Sequence, residues 1–556
     1  MKKTVLFLLW LTSSLVVSAQ RNAKVESMAS LGEIWGFLKY YHPNIAGGQT
    51  DWDSVLVADL PILAKNPSSE QFQAIVGRWL SDAGPISLRK SYLEIEIDSS
   101  LGNFDLSFLE ENPLLNESLK AQLKYIRDNR FQGKQYYALP SSWNGPISFE
   151  NEEPYSEELY PTQPYRMLAL FRYWNAIHYY FPYKYLIEED WRETLREFTM
   201  DFYEAEDQLA YHLSIRKLSA RIYDTHSFLH STTWDYSQGK YRLLASVKLI
   251  EGKSVIMRVI ADSLGERYPL ERGDVVLSVN RISTDSIRER LHPYLLSSNE
   301  VTTQRKISNW LLVVPSKKVV IEIERNGKEM LFVLNAVHVK QFHKLASADT
   351  PSDSVPKWVK RNDNIGYVDM GRLEREEVGE MMKELMDCKA IIFDVRNYPK
   401  GTYRHIMMYL LPSRSPFATF SYPETDYPGK FSRYTEPYYV GKRKNKKYYQ
   451  GKVVVLQDES TQSHAEFTIM ALQTSPNCTL IGSQTAGADG NVTTIKLPGG
   501  ALIYFTGIGV YYPDMRETQR IGIVPNVERK PTLEGIRTGK DEVLETALEL
   551  INNEKI

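Results

Sequence analysis

The stretch GKVVVLQDESTQSHAEFTIMAL, residues 451–472, restricts the fold more than any other part of the chain. Residues 453–456 are a continuous apolar, β-branched run, which reads as a buried strand, whereas Phe467, Met470 and Ala471 follow helical spacing. A polar turn holding Ser463 joins the two. A serine at such a junction has its Oγ beside the unpaired N–H groups of a helix's first turn, where developing negative charge is favoured, so the turn suits a nucleophile. Ser463-x-x-Glu466 is also a capping box, in which the serine merely caps the helix and the glutamate reaches back. On this turn alone both readings stay open.

The chain begins with Lys2 and Lys3, an apolar run over 5–17 and a Val-Ser-Ala end at 17–19, the pattern of a secretory signal peptide over residues 1–19. Cleavage there removes two lysines and no acid, so the formal charge moves from −2 to −4. The absence of a cysteine just after the cleavage point argues against a lipid-anchored form, and no later run approaches the about 18 apolar residues of a membrane span. The expectation is an exported, soluble protein, periplasmic or extracellular, with no affinity for nucleic acid. The two cysteines, Cys388 and Cys478, precede apolar strand-like runs and are expected as free buried thiols. With 556 residues, several domains are expected.

An internal repeat organises the first part. LGEIWGFLKYYHPNIAGGQTDW, from residue 32, and FRYWNAIHYYFPYKYLIEEDW, from residue 171, share Trp35, Tyr40, Tyr41, Pro43, Asp51 and Trp52 with Trp174, Tyr179, Tyr180, Pro182, Asp190 and Trp191, each pair 139 residues apart. The common pattern predicts a helix ending before a proline and a second helix starting near Asp-Trp. His42 of the first copy stands where the second has Phe181, which marks an aromatic packing position. Between the copies, SYLEIEID alternates like a strand, LNESLKAQLKYIRD is helical, and the loop running to Tyr165 is rich in proline, acids and tyrosine. A boundary near 155 separates an α-rich N-terminal module (20–155), in which no chemistry is evident, from a second helical unit (156–237). That unit ends in LSIRKLSARIYDTHSFLH, where Asp224-Thr225-His226-Ser227 breaks an apolar helical face.

With AIIFDVRNYPKGTY (390–403), TLIGSQTAGADG (479–490) and GIVPN (522–526), the Ser463 stretch resembles the core of the tail-specific, or C-terminal processing, proteases. That serine peptidase family also includes tricorn protease and the interphotoreceptor retinoid-binding protein. The resemblance runs over roughly residues 160–550. It implies a multidomain α/β protein with a crotonase/ClpP-like protease core (364–556), reached through a polar linker (344–363). It also implies a PDZ-like β domain over 238–343, carried by Gly273, Asp274, Val275, Leu277, Val279 and Asn280. Such domains capture extended peptides by β-augmentation.

The resemblance further implies roles. Ser463 is the nucleophile, and His226 is the general base of a tricorn-like Asp-x-His-Ser/Thr motif. The backbone N–H groups of Gly401 and His464 form an oxyanion hole, Gly401 lying in a loop where Lys400 replaces a family glycine. The bacterial members use a Ser-Lys dyad whose lysine lies in a Thr-x-Gly-Lys-Gly turn. Here that turn reads Thr485-Ala486-Gly487-Ala488-Asp489-Gly490, and Ala488 cannot be a base. Lys496 lies too far along to replace it. The acid that completes the tricorn-like set falls near Gln519, with Glu517 and Glu466 as alternatives. Two functions follow: a serine endopeptidase acting on extended or unfolded polypeptide tails, or a non-catalytic relative that binds peptides or another ligand. No metal or cofactor motif is present.

Overall fold

The computed structural model describes residues 2–87, 102–260, 268–348 and 355–553, with side chains from residue 20 onward. The strand expected over SYLEIEID and part of the 344–363 linker lie outside the described residues.

The C-terminal third is built on a six-stranded sheet in the order Trp358–Lys360, Ile365–Asp369, Ala390–Asp394, Lys452–Gln457, Cys478–Gly482, Val527–Glu528; the first pair is antiparallel and the rest are parallel. The apolar runs have no polar alternation because both faces are covered. Ile391, Phe393, Val453, Val455 and Leu480 meet Met381, Ile406 and Ile469 from the helices Val378–Leu385, Tyr403–Leu410 and His464–Leu472. On the other face Ile392, Val454, Leu456 and Ile481 meet Val543, Ala547 and Ile551 of Glu542–Asn553. Cys388 and Cys478 are both free thiols, the first buried and the second half-buried.

The repeat is a pair of helical hairpins with the same internal lock. Helices Lys2–Tyr41 and Trp52–Lys65 form one, Gln163–Tyr180 and Trp191–Tyr203 the other, and Asp51 and Asp190 cap the second helix of each. Trp35 and Trp52 each donate an indole N–H to the other's carbonyl, at 3.0 and 2.9 Å; Trp174 and Trp191 do likewise, at 2.6 and 3.2 Å. The hairpins pack on one another through small residues: Gly32 lies under Phe171, and Gly36 under Asn175. His42 is buried, and burial pushes its pKa down to about 4 against a hydrogen bond to the Gly84 backbone.

One core cluster contains side chains from both hairpins, from Ile147 and Phe149, and from Ile495 to Phe505. The boundary read near residue 155 therefore falls inside a shared core. Across it, Lys39 and Arg172 pair with Asp53 and Glu152, all four buried.

Residues 245–335 form an antiparallel sheet in the order Lys328–Asn335, Lys318–Arg325, Val275–Val279, Lys253–Val259, Ala245–Ile250, with Ile282–Ser283 added to Val275–Val279. Helices Thr284–Leu291 and Glu300–Trp310 complete this domain. Its edge strand and second helix face the loop between the strand Lys452–Gln457 and the helix His464–Leu472. Lys248 pairs with Asp458 and Glu459, and Arg305 donates to the Glu459 carbonyl and the Gln462 side chain.

A candidate serine-hydrolase site

Ser463 follows the carboxyl end of the parallel strand Lys452–Gln457 and caps the helix His464–Leu472, the edge of an α/β sheet where ligands bind. Of the capping box, the Glu466 carboxylate accepts the Ser463 N–H, whereas the Ser463 side chain makes no cap hydrogen bond. Its backbone differs from that of an ordinary cap. Ser68, Ser231 and Ser283, which cap other helices here, have φ of −89°, −147° and −60°, whereas Ser463 has φ 58° and ψ −124°. A side chain in that region costs about 1–3 kcal/mol and persists only where its surroundings impose it, as in the nucleophile elbows of hydrolases.

Glu466 imposes it. The carboxylate, fully buried, accepts from the N–H groups of Ser463 (3.2 Å), Gly487 (2.9 Å) and Ala488 (3.1 Å) and from the Thr485 hydroxyl (2.5 Å). Burial pushes its pKa up to about 7 against the pull of these donors. Ser463 N–H also donates to the Ala488 carbonyl at 2.9 Å. Ala488 thus holds the turn through its main chain.

Ser463 and His464 line a cleft of about 510 Å³. One wall is aromatic: Phe420, Tyr434, Tyr438 and Phe467, with Phe420 4.6 Å from Tyr438 and 5.8 Å from Phe467 between ring centroids. The facing wall is Ser142–Gly145, the tip of the hairpin Leu139–Pro140 and Ile147–Ser148, where Trp143 is 91% exposed. The N-terminal region, in which the sequence shows no chemistry, therefore forms part of the cleft. Asp489 also lines it, its carboxyl raised well above the usual range by burial and then by Glu466.

Gly401 has φ 73°, and a Cβ built on it would lie 3.9 Å from His464 Nε2, so its turn stands against the start of the serine's helix. The His464 ring lies among Tyr398, Tyr403 and Phe467, its Nε2 buried without a hydrogen-bond partner. Lys400 is tied to Glu374 on the outer side of this loop.

His226 reaches the core through a strand. Phe228–His230 pairs with Ala501–Thr506, itself the partner of Val492–Leu497. This pairing sets His226 Nδ1 3.0 Å from Thr506 Oγ1. Asp224, fully buried, accepts from the Thr506 hydroxyl (3.0 Å) and N–H (2.7 Å), the His226 N–H (3.0 Å) and the Gln519 amide (3.3 Å). Burial lowers the His226 pKa, the Asp224 charge raises it, and Lys306 lowers it. Lys306 donates to the carbonyls of Thr225 and Leu296, and burial brings it down to about 7.

Among the described residues no hydrogen bond joins Ser463 to His226. Both segments instead bond one loop: Thr225 Oγ1 donates to the Ala486 carbonyl at 3.2 Å and Ser463 N–H to that of Ala488. Of the three supports expected for the base, Gln519 touches the motif through Asp224. Glu466 lies on the serine's side, and Glu517 is bonded to Tyr185. Lys496 is exposed on its strand. No local motif in the sequence encodes the Asp224–Thr506 contact.

Residues 364–529 match the model of peptidase family S41. No curated protein sequence matches the chain. Among solved structures, mature CPAF complexed with lactacystin is 13% identical with a TM-score of 0.54, over 70% of this chain and 99% of that one. A putative peptidase from Parabacteroides merdae is 17% identical (TM-score 0.44; 70% and 97% covered). The photosystem II D1 C-terminal processing protease is 16% identical (TM-score 0.38; 68% and 98% covered). The CPAF likeness speaks for the fold, and the residues similar to the peptidase family S41 model are those of the sheet that carries Ser463.

Proposed function

We propose that the protein is an exported serine endopeptidase that cleaves extended polypeptides through an acyl-enzyme on Ser463, with His226 as general base. The observation that carries this reading is the backbone of Ser463, held at φ 58° between Glu466 and the Ala488 carbonyl with the serine lining a cleft; a serine needed only as a cap has no use for that strain. In this account His226 takes the Ser463 proton as the hydroxyl attacks, then returns it to the leaving amine. The oxyanion forms against the N–H groups of Gly401 and His464, each worth about 2.7–4 kcal/mol of transition-state stabilisation. Approach of Ser463 to His226 belongs to the substrate complex, where catalytic contacts tighten.

The cleft fits an extended chain laid between the Trp143 hairpin and the aromatic wall. In the same reading the 245–335 sheet is a PDZ-like domain and the core is crotonase/ClpP-like. Residues 1–19 act as the signal peptide, and no helix among the described residues is long and apolar enough to cross a membrane. Ala488 and Gln519, where the family carries a lysine and an acid, motivate the second reading, a binding protein that does not cut. Hydrolysis of an unfolded polypeptide by the mature protein, lost in both Ser463→Ala and His226→Ala, supports the enzyme. Stoichiometric peptide binding without hydrolysis supports the binder.

A further inference from the structure

We propose that Thr506 is a positioning residue: its hydroxyl passes the influence of the buried Asp224 carboxylate to His226 and fixes the imidazole as the tautomer that can act as a base. The inference rests on His226 being the base and adds how it is set.

A threonine hydroxyl has one proton to give, and an ionised carboxylate can only accept. Thr506 Oγ1 is 3.0 Å from Asp224 Oδ1 and 3.0 Å from His226 Nδ1. Its proton therefore goes to Asp224, and what it turns toward the ring is a lone pair. Nδ1 must then carry the ring proton, which leaves Nε2 with the free pair that accepts from a nucleophile. When Nε2 takes up the Ser463 proton, the Nδ1 proton stays where it is. The imidazolium charge then faces a hydroxyl oxygen already polarised by a carboxylate, and low surrounding polarity strengthens such a chain. Asp224 and Thr506 are both fully buried.

In a Ser-His-Asp triad the carboxylate holds Nδ1–H directly. Here one hydroxyl is interposed, and the carboxylate is kept in place by the Thr506 N–H, the His226 N–H and the Gln519 amide. Gln519 is thus a donor to the acid and supplies no charge, its Oε1 being buried without a partner. The ionisable groups that act on His226 are Asp224, which stabilises the imidazolium, and Lys306, which opposes it.

Thr506→Val keeps the shape and removes the relay. The expected result is a kcat lower by about 10- to 1000-fold, short of the ~10⁴ lost when an orienting carboxylate is neutralised outright. KM should stay near wild type, and the acid limb of kcat/KM should move to lower pH, because the imidazolium has lost its support. Thr506→Ser should restore both. A merely structural threonine would change stability without moving the acid limb. Gln519→Glu, which sets a second carboxylate against Asp224, should lower activity rather than raise it. Independently of any variant, 15N–1H long-range correlation on histidine-labelled protein should show His226 protonated at Nδ1. The proposal is overturned by wild-type kcat and an unmoved acid limb in Thr506→Val while His226→Ala is inactive, or by an Nε2-protonated ring. If His226→Ala itself retains turnover, the base assignment falls and the relay falls with it.

Discussion

The Glu466 carboxylate accepts the N–H of Ser463 at 3.2 Å, so the side chain that completes the helix cap also sets the angle at which the chain enters the helix. The same carboxylate takes the N–H groups of Gly487 and Ala488. Glu466→Ala leaves those two buried donors unpaired, at about 1–3 kcal/mol each. Urea unfolding should show a loss of about 2–6 kcal/mol. Ser463 reactivity toward a phosphonate probe should fall in folded protein as well, because one of the two hydrogen bonds that hold the Ser463 N–H is lost.

The reciprocal tryptophan pairs predict a symmetry of mutational effect. Trp35→Phe and Trp174→Phe each remove one indole–carbonyl bond and leave a gap in a shared core. Each should destabilise by about 2–4 kcal/mol, within about 1 kcal/mol of the other. A tolerated change in one hairpin and a severe one in the other would show that the two locks are not equivalent.

The repeat was legible because its lock is local: both tryptophans, the capping aspartate and the proline lie within one hairpin, and the spacing survives in both copies. The Ser463 turn was legible for a similar reason, since a buried strand and a helix start can be read from a short window. Asp224 and Thr506 are 282 residues apart and meet only because Phe228–His230 joins the Ala501–Thr506 strand. The Trp143 hairpin likewise reads as a plain polar loop until its base is docked, with Thr493 Oγ1 donating to the Ile147 carbonyl and Pro146 against Gly507. Sequence periodicity carries no record of such long-range pairings.

Trp143 provides a test of the cleft. At 91% exposure it contributes little to stability, so Trp143→Ala should leave the unfolding midpoint unchanged. If the hairpin tip holds substrate, KM for an extended peptide should rise about 5- to 30-fold, the loss of a ~1–2 kcal/mol contact, with kcat within a few-fold. An unchanged KM would remove the hairpin from the binding site.

The pH dependence follows from the burial of His226, which lowers its pKa below the ordinary 6.5. The neutral base then persists into mildly acid solution, and the acid limb of kcat/KM should lie below pH 6.5. The unfolded chain protonates this histidine more readily than the folded one does. Its contribution to stability is therefore complete above the unfolded value and is lost as pH falls through the lower folded one. An acid limb above pH 7 would assign the limb to another group.

The central claim is that Ser463 is the nucleophile, and the most direct measurement is peptide mapping of the mature protein after reaction with a fluorophosphonate. The account predicts one adduct, on Ser463, abolished in Ser463→Ala and slowed at least 10³-fold in His226→Ala, as expected of residues that act as a unit. A stoichiometric adduct on a different residue, or peptide-bond hydrolysis that survives Ser463→Ala, would contradict it.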